Sequence, residues 1–235
     1  MGPSNLHRRY LKFFVILGKR SEEQIIPLVY CLMTNREDST YDMLFKYISN
    51  KLGDYQPTSM MSVFEIAPRN SFATWFPTSN QRGCFFHFMQ SLWRRIQKNA
   101  EIMAVYKAST YFAFHLRYLA ALAFVPVDEV VISFENILQM TFFVQNKDKL
   151  APFVLYFEKN WIGERFGTRR RAPRFPISLW NVNAGVTEQW GKTNNSCEGF
   201  NHGFSCLLAA HHPTIWNFIK GLQKQQTLTE IGSKS

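Results

Sequence analysis

The chain has 235 residues, of which 46% are hydrophobic and 16% aromatic, with 22 phenylalanines, so it is far too apolar for a disordered segment and large enough for one sizeable domain or a domain carrying an insertion. Lys and Arg outnumber Asp and Glu by 27 to 17, a formal charge of +10, which favours anionic partners, nucleic acid being the commonest. Apolar stretches such as Tyr118 to Pro126 are too short to span a bilayer, the N-terminus lacks a signal cleavage site, and Cys31, Cys84, Cys197 and Cys206 form no disulfide pattern; the expectation is an intracellular protein with reduced thiols and no membrane partner.

The first third alternates two kinds of piece. Leu11 to Leu17 (LKFFVIL) and Ile25 to Met33 (IIPLVYCLM) are apolar runs on either side of a charged turn, and predict a hairpin of buried strands. Pro27, within the second run, points to an edge position or a bulge. Ser39 opens an S-x-x-D capping pattern with Asp42, and Tyr41, Leu44, Phe45, Ile48 and Leu52 follow at helical spacing until Gly53 stops the helix. MMSVFEI returns to strand composition, Pro68 opens a second helix that ends before Pro77, and GCFFHFMQ is a third apolar run that reads as a strand passing directly into the helical SLWRRIQKN. The order β-β-α-β-α-β-α is an α/β signature with a mixed sheet.

From Ile102 to about Phe157 no turn pairs or period-two runs occur, and apolar residues recur at helical spacing, as in Phe112, Leu116, Leu119 and Leu122. Pro126 followed by Val127, Asp128 and Glu129 marks a break between helices, and the whole stretch reads as an all-helical insertion. GERFGTRRRAPRFPISLW is then a basic loop rich in Gly, Pro and Arg. Two helices follow, roughly Ser196 to Ala210 and Pro213 to Leu228, with Pro213 in a first-turn position and Ile215, Ile219 and Leu222 as a stripe.

IIPLVYCLMTNREDSTYDMLF, MMSVFEIAPRNSF, GCFFHFMQSLWRRIQ, LAALAFVP, YFEKNWIG, RRRAPRFPISLWN and TNNSCEGFNHGF, in that order from about Phe13 to Gln226, are similar to the transposase domain of Mutator-like elements, the MULE domain. The most specific motifs are G-C-x-F-H-F-x-Q and T-N-N-x-x-E-G. The resemblance implies an RNase H-like fold and cut-and-paste DNA chemistry, in which two Asp and one Glu hold two Mg²⁺ ions that activate the attacking oxygen and stabilise the leaving one.

Those acids are matched here one by one. The resemblance places the first Asp on a strand upstream of LKFFVIL, yet no Asp precedes Asp38, so the first ligand is expected to be missing by truncation. The second belongs to an M-T-D-F-E pattern that here reads Met61, Ser62, Val63, Phe64, Glu65. Val63 occupies the ligand position and cannot coordinate Mg²⁺. The third is present as Glu198, after Thr193, Asn194 and Asn195. Glu65 is the substitute candidate: on a strand it would share a face with Val63, displaced by roughly 6.6 Å. Its other reading is a residue flanking the helix that opens at Pro68.

Cys84 and His87 match a cysteine and histidine of the family, and read either as a site-supporting pair or as a small apolar thiol and a hydrogen-bonded imidazole; the second pair of a structural zinc site is missing. Glu198, His202 and Cys206 are spaced by four and share a helical face, with Cys197, His211 and His212 nearby, but a fourth ligand is undefined and packing is the default. A family histidine falls at Asn201. Two basic groups stand out, Arg94, Arg95 and Lys98 on a helix, and Arg169, Arg170, Arg171 and Arg174 in a loop with Phe166 and Phe175. They read as phosphate contacts or as solvated charged faces.

The composite expectation is an α/β chain with an RNase H-like mixed sheet flanked by helices and an all-helical insertion before the last catalytic helix. Residues 1–100 form the N-terminal part of the core without its first strand, 101–160 the insertion, and 161–235 the basic loop and C-terminal helices. Functionally it is a catalytically inactive transposase remnant, nuclear, that takes DNA on its basic surface and needs no cofactor, with Mg²⁺ or Mn²⁺ required only if activity survives. The alternatives are a domesticated DNA- or protein-binding module, and an active strand-transfer enzyme that needs a missing N-terminal segment.

Overall fold

The computed structural model describes residues 11–19, 25–187, 195–208 and 214–232. In chain order these form β1 (Lys12–Lys19), β2 (Ile25–Met33), α1 (Asp38–Leu52), β3 (Ser59–Ser62), α2 (Ile66–Trp75), β4 (Asn80–Gly83), α3 (Phe85–Gln97), α4 (Ala100–Ala108) and α5 (Thr110–Ala121). They continue with α6 (Val130–Gln139), α7 (Thr141–Gln145), α8 (Lys147–Phe157), β5 (Arg165–Phe166), β6 (Arg169–Arg170), α9 (Ile177–Trp180), α10 (Asn183–Thr187), α11 (Asn195–Leu208) and α12 (Ile215–Gly232). The chain is a helix-rich α/β protein with small sheets. It divides into two compact units: residues 1–55, 66–77 and 194–235 in one, residues 56–65 and 78–193 in the other.

The first unit is built on the antiparallel pair β1–β2, in which Lys12 opposes Met33 and Lys19 opposes Ile25. Between Ile16 and Leu17 the register slips, because Ile16 faces Val29 while Leu17 faces Pro27. Leu28 is thus the extra residue of a bulge, the irregularity Pro27 had signalled. Neighbouring side chains of β1 point to opposite faces. Phe13 lies against Phe204 of α11 and Phe218 of α12, at ring separations of 5.4 and 5.2 Å, whereas Phe14 meets Tyr41 of α1 at 5.4 Å. Both faces of the strand therefore need apolar residues, which explains the unbroken run in sequence.

Helix α1 buries Tyr41 and Phe45. Phe45 meets Phe72 of α2 edge-on at 5.4 Å, and the Trp75 indole donates to Asp42 at 2.7 Å. The expected cap at Ser39 is corrected: the helix starts at Asp38 with Glu37 in the cap position. The Asn35 side chain orders that entry by accepting from the Glu37 amide at 3.1 Å and from the Thr40 hydroxyl at 2.5 Å. Gly53 ends the helix at φ 59°, as its position predicts.

The second unit contains the parallel pair β3–β4, with Ser59 opposite Asn80 and Ser62 opposite Gly83. Two strand expectations change here. MMSVFEI is strand only as far as Ser62; the Cys84 amide closes the ladder on the Ser62 carbonyl at 2.9 Å. Phe64 instead packs edge-on to Trp161 and Phe175, at 4.9 and 5.2 Å. GCFFHFMQ is not a strand: β4 is the polar Asn80–Gly83, Cys84 is an N-cap, and α3 begins at Phe85. Phe88, Leu92 and Ile96 are buried at a spacing of four, a period that a short apolar run hides.

Around α3 the helices from α4 to α8 pack as the apolar spacing predicts, with short 3₁₀ turns, Leu122–Phe124 and Val127–Glu129, on either side of Pro126. The core centres on Phe88, fully buried, which stacks on Trp180 at 4.9 Å and 10° and meets Trp161 edge-on at 4.9 Å. The buried indole of Trp180 donates to the Trp161 carbonyl at 3.1 Å. The turn at residues 20–24 and Pro213 lie outside the described residues. Thr214 caps α12 by accepting from the Asn217 amide at 3.2 Å.

Candidate nucleic-acid interface

The basic segment after α8 is an ordered structure. The helix winds out through a π-helical turn, Glu158–Ile162, and the chain reverses at Gly163, whose φ is 98° and where a Cβ would collide with the Arg171 carbonyl. Only glycine allows both. Arg165 then pairs with Arg170 and Phe166 with Arg169 in a small antiparallel hairpin, turned by Gly167 at φ 62° and Thr168. Backbone bonds from Arg171 to Glu164 (2.9 Å), Arg174 to Lys159 (3.2 Å) and Phe175 to Asn160 (2.9 Å) lay the strand after the hairpin beside the end of the helix.

Arg170 secures this arrangement. One terminal nitrogen donates to Glu158 at 2.9 Å and to the Gly163 carbonyl at 2.6 Å, and the other donates to Glu135 of α6 at 3.0 Å. Its guanidinium lies 5.6 Å from the Phe134 ring. Burial alone would lower its pKa, but the hydrogen bonds and charges of Glu158 and Glu135 outweigh that effect, and the net direction is upward. The bidentate fork makes Arg suited to this place. Two carboxylates neutralise it, so of the four arginines expected to meet DNA here it is the one already engaged.

Arg165, Arg169, Arg171 and Arg174 are exposed, as is Lys159. Arg165 lies 3.9 Å from Glu135; no acidic partner among the described residues meets Arg169, Arg171 or Arg174. Arg171 sits 4.8 Å above the ring of Phe166, while Arg174 lies 5.4 Å from Phe175. The two aromatics differ: Phe175 is 5% exposed and stacks on Trp161 at 5.0 Å, whereas Phe166 is 67% exposed. Composition marked the basic run, Arg165 within it, but not Glu135 and Glu158 as the clamp on Arg170, since those pairings join positions 12 and 35 residues apart. Arg94 on α3 and Lys98 at its C-cap are exposed, while half-buried Arg95 donates to the Pro152 carbonyl at 3.1 Å and lies 5.3 Å from the Tyr156 ring.

The acid positions are distributed along the chain. Val63 and Glu65 lie just past β3, half-buried, with the Glu65 amide donating to the Val63 carbonyl at 2.9 Å. They are past the strand's end, so the spacing expected for two residues on one strand face does not apply; Glu65 immediately precedes α2, which starts two residues before Pro68. Glu198 is in α11, which Asn195 opens. The side chains of Asn195, Cys197, Glu198 and Asn201 lie outside the described residues, as do Thr193, Asn194, His211 and His212 altogether.

Cys84 is wholly buried and His87 follows on the first turn of α3, not at the end of a strand. His202 and Cys206, one turn apart on α11, approach to 3.8 Å. Among the described residues no three of His, Cys, Asp and Glu gather in a metal-binding cluster. Nor is any helix among them long and apolar enough to cross a membrane.

Residues 5–91 match the family model of the MULE transposase domain. No curated protein and no solved structure matches the chain.

Proposed function

We propose that this chain, similar over residues 5–91 to the MULE transposase domain, is a transposase-derived protein that binds DNA without cutting it. The exposed arginines of the clamped hairpin carry the reading, because Arg169, Arg171 and Arg174 are held on ordered backbone with no acidic partner among the described residues. Guanidinium groups so placed bind phosphate oxygens and release counterions. Arg94 on α3 and Lys98 at its C-cap, both exposed in the same unit, extend the set. Loss of chemistry is supported by Val63, which stands where the family resemblance asks for a carboxylate and offers no oxygen to a divalent cation. An RNase H-like relation beyond residue 91 rests on the T-N-N-x-x-E-G motif at Thr193 to Gly199. A nuclear location follows from the DNA partner, and a cytoplasmic fluorescent fusion would count against it.

Fluorescence anisotropy on labelled DNA between 50 and 200 mM salt is the test. With about five phosphate contacts, log K should fall against log salt with a slope of about −3.5 to −4.5. The double change Arg169→Ala, Arg174→Ala should flatten it by about 2. Absence of binding at the lowest salt overturns the reading. Calorimetric titration of Mg²⁺ or Mn²⁺ into the folded protein and into Glu198→Gln tests inactivity. Silence in both supports it; binding lost in the variant overturns it and favours the strand-transfer enzyme with Glu65 as a ligand.

A further inference from the structure

We infer that Phe166 is a base-stacking platform, so that the hairpin takes the unpaired nucleotides of single-stranded DNA in preference to intact duplex; this rests on the DNA-binding reading above. Phe166 stands 67% exposed while Phe175, its counterpart in the same basic segment, is 5% exposed and committed to the core. Packing thus accounts for one aromatic and leaves the other open. The open ring lies next to the two-residue turn, paired across the hairpin with Arg169 and covered on one side by the Arg171 guanidinium at 4.8 Å. The segment that carries it is cationic, with Lys159, Arg165, Arg169, Arg171 and Arg174 all exposed within 16 residues of sequence. It is also held firmly: the Arg170 clamp and the reversal at Gly163 fix the hairpin stem to the helical unit.

A π-face on a pre-ordered support amid phosphate-binding cations is the combination by which proteins hold single strands, since every base has a face to stack and the backbone supplies the charge. Arg171 contributes twice, because its guanidinium can stay over the ring or turn to a phosphate, and cation–π attraction orients the ring meanwhile. In a duplex the bases are stacked on each other, and a lone ring gains nothing until a base is splayed out.

The test compares an oligothymidylate single strand carrying one 2-aminopurine with a duplex of equal length, for wild type, Phe166→Ala and Phe166→Trp. Phe166→Ala should weaken single-strand binding about tenfold, change duplex binding less than twofold, and abolish the 2-aminopurine quenching that wild type and Phe166→Trp both produce. Equal effects of Phe166→Ala on both DNAs, or none on either, with salt-dependent wild-type binding intact, would sink the stacking role and leave the DNA-binding reading standing. Wild type binding neither DNA would sink both. Since the ring is exposed, a circular-dichroism melt of Phe166→Ala should match wild type.

Discussion

Arg170 shows how much one side chain can settle locally. Removing its charge in Arg170→Met would leave Glu158 and Glu135, 20% and 36% exposed, facing each other without their shared cation. We expect a loss of about 2 kcal/mol, below the 3–5 of a fully buried pair because solvent reaches both carboxylates. The urea midpoint should drop with the slope unchanged. Gly163→Ala should be worse than Gly53→Ala. Both glycines have positive φ, but around Gly53 an added Cβ meets open space, while at Gly163 it runs into the Arg171 carbonyl. About 1 kcal/mol is expected at Gly53 and at least about 2 at Gly163, read from the same urea curves.

Elements answer to the faces they bury. Helix α3 carries Phe88 into the ring cluster of Trp161 and Trp180, so Phe88→Ala should cost about 3–5 kcal/mol. Phe114 on α5 is 54% exposed, and Phe114→Ala should change stability by about 0.5 kcal/mol or less. Paired urea melts would separate the two. Strand β2 adds a pH dependence. Burial raises the pKa of the Cys31 thiol and of the Tyr30 phenol by disfavouring their charged forms. A folded pKa above the unfolded one means stabilisation that is complete below the unfolded value and lost as pH rises through the folded one. Stability should therefore decline above about pH 9, first through Cys31 and then through Tyr30, whose ordinary values are 9.0 and 10.0. Melts at stepped alkaline pH should show the first decline vanish in Cys31→Ala. Helix spacing was legible where the stripe was long, as in α1 and α5; α12 forms as a helix, but Ile215 and Ile219 of its expected stripe are exposed. GCFFHFMQ misled because aromatic residues favour strands and eight residues do not resolve a period, whereas the polar β4 gave no apolar signal at all.

At the scale of the molecule, net charge and family resemblance agree on nucleic acid, and both were readable in one dimension. A formal charge of +10 depends only on counting residues, and a motif depends only on their order. Hence a preference for anionic partners is expected on composition alone, whereas the salt slope of the proposed DNA binding counts the side chains that meet phosphate. The sequence by itself determined the alternation of strands and helices in the first third, the helical character of the middle, and the clustering of arginines after Gly163. Tertiary structure decided which arginine is spent internally and which remain exposed, that Phe175 is core while Phe166 is surface, and that Cys84 is wholly buried. The physical reason is that burial and ion pairing are relations between residues distant in the chain: Glu135 neutralises Arg170 across 35 positions, and no local pattern records a partner that only folding brings near.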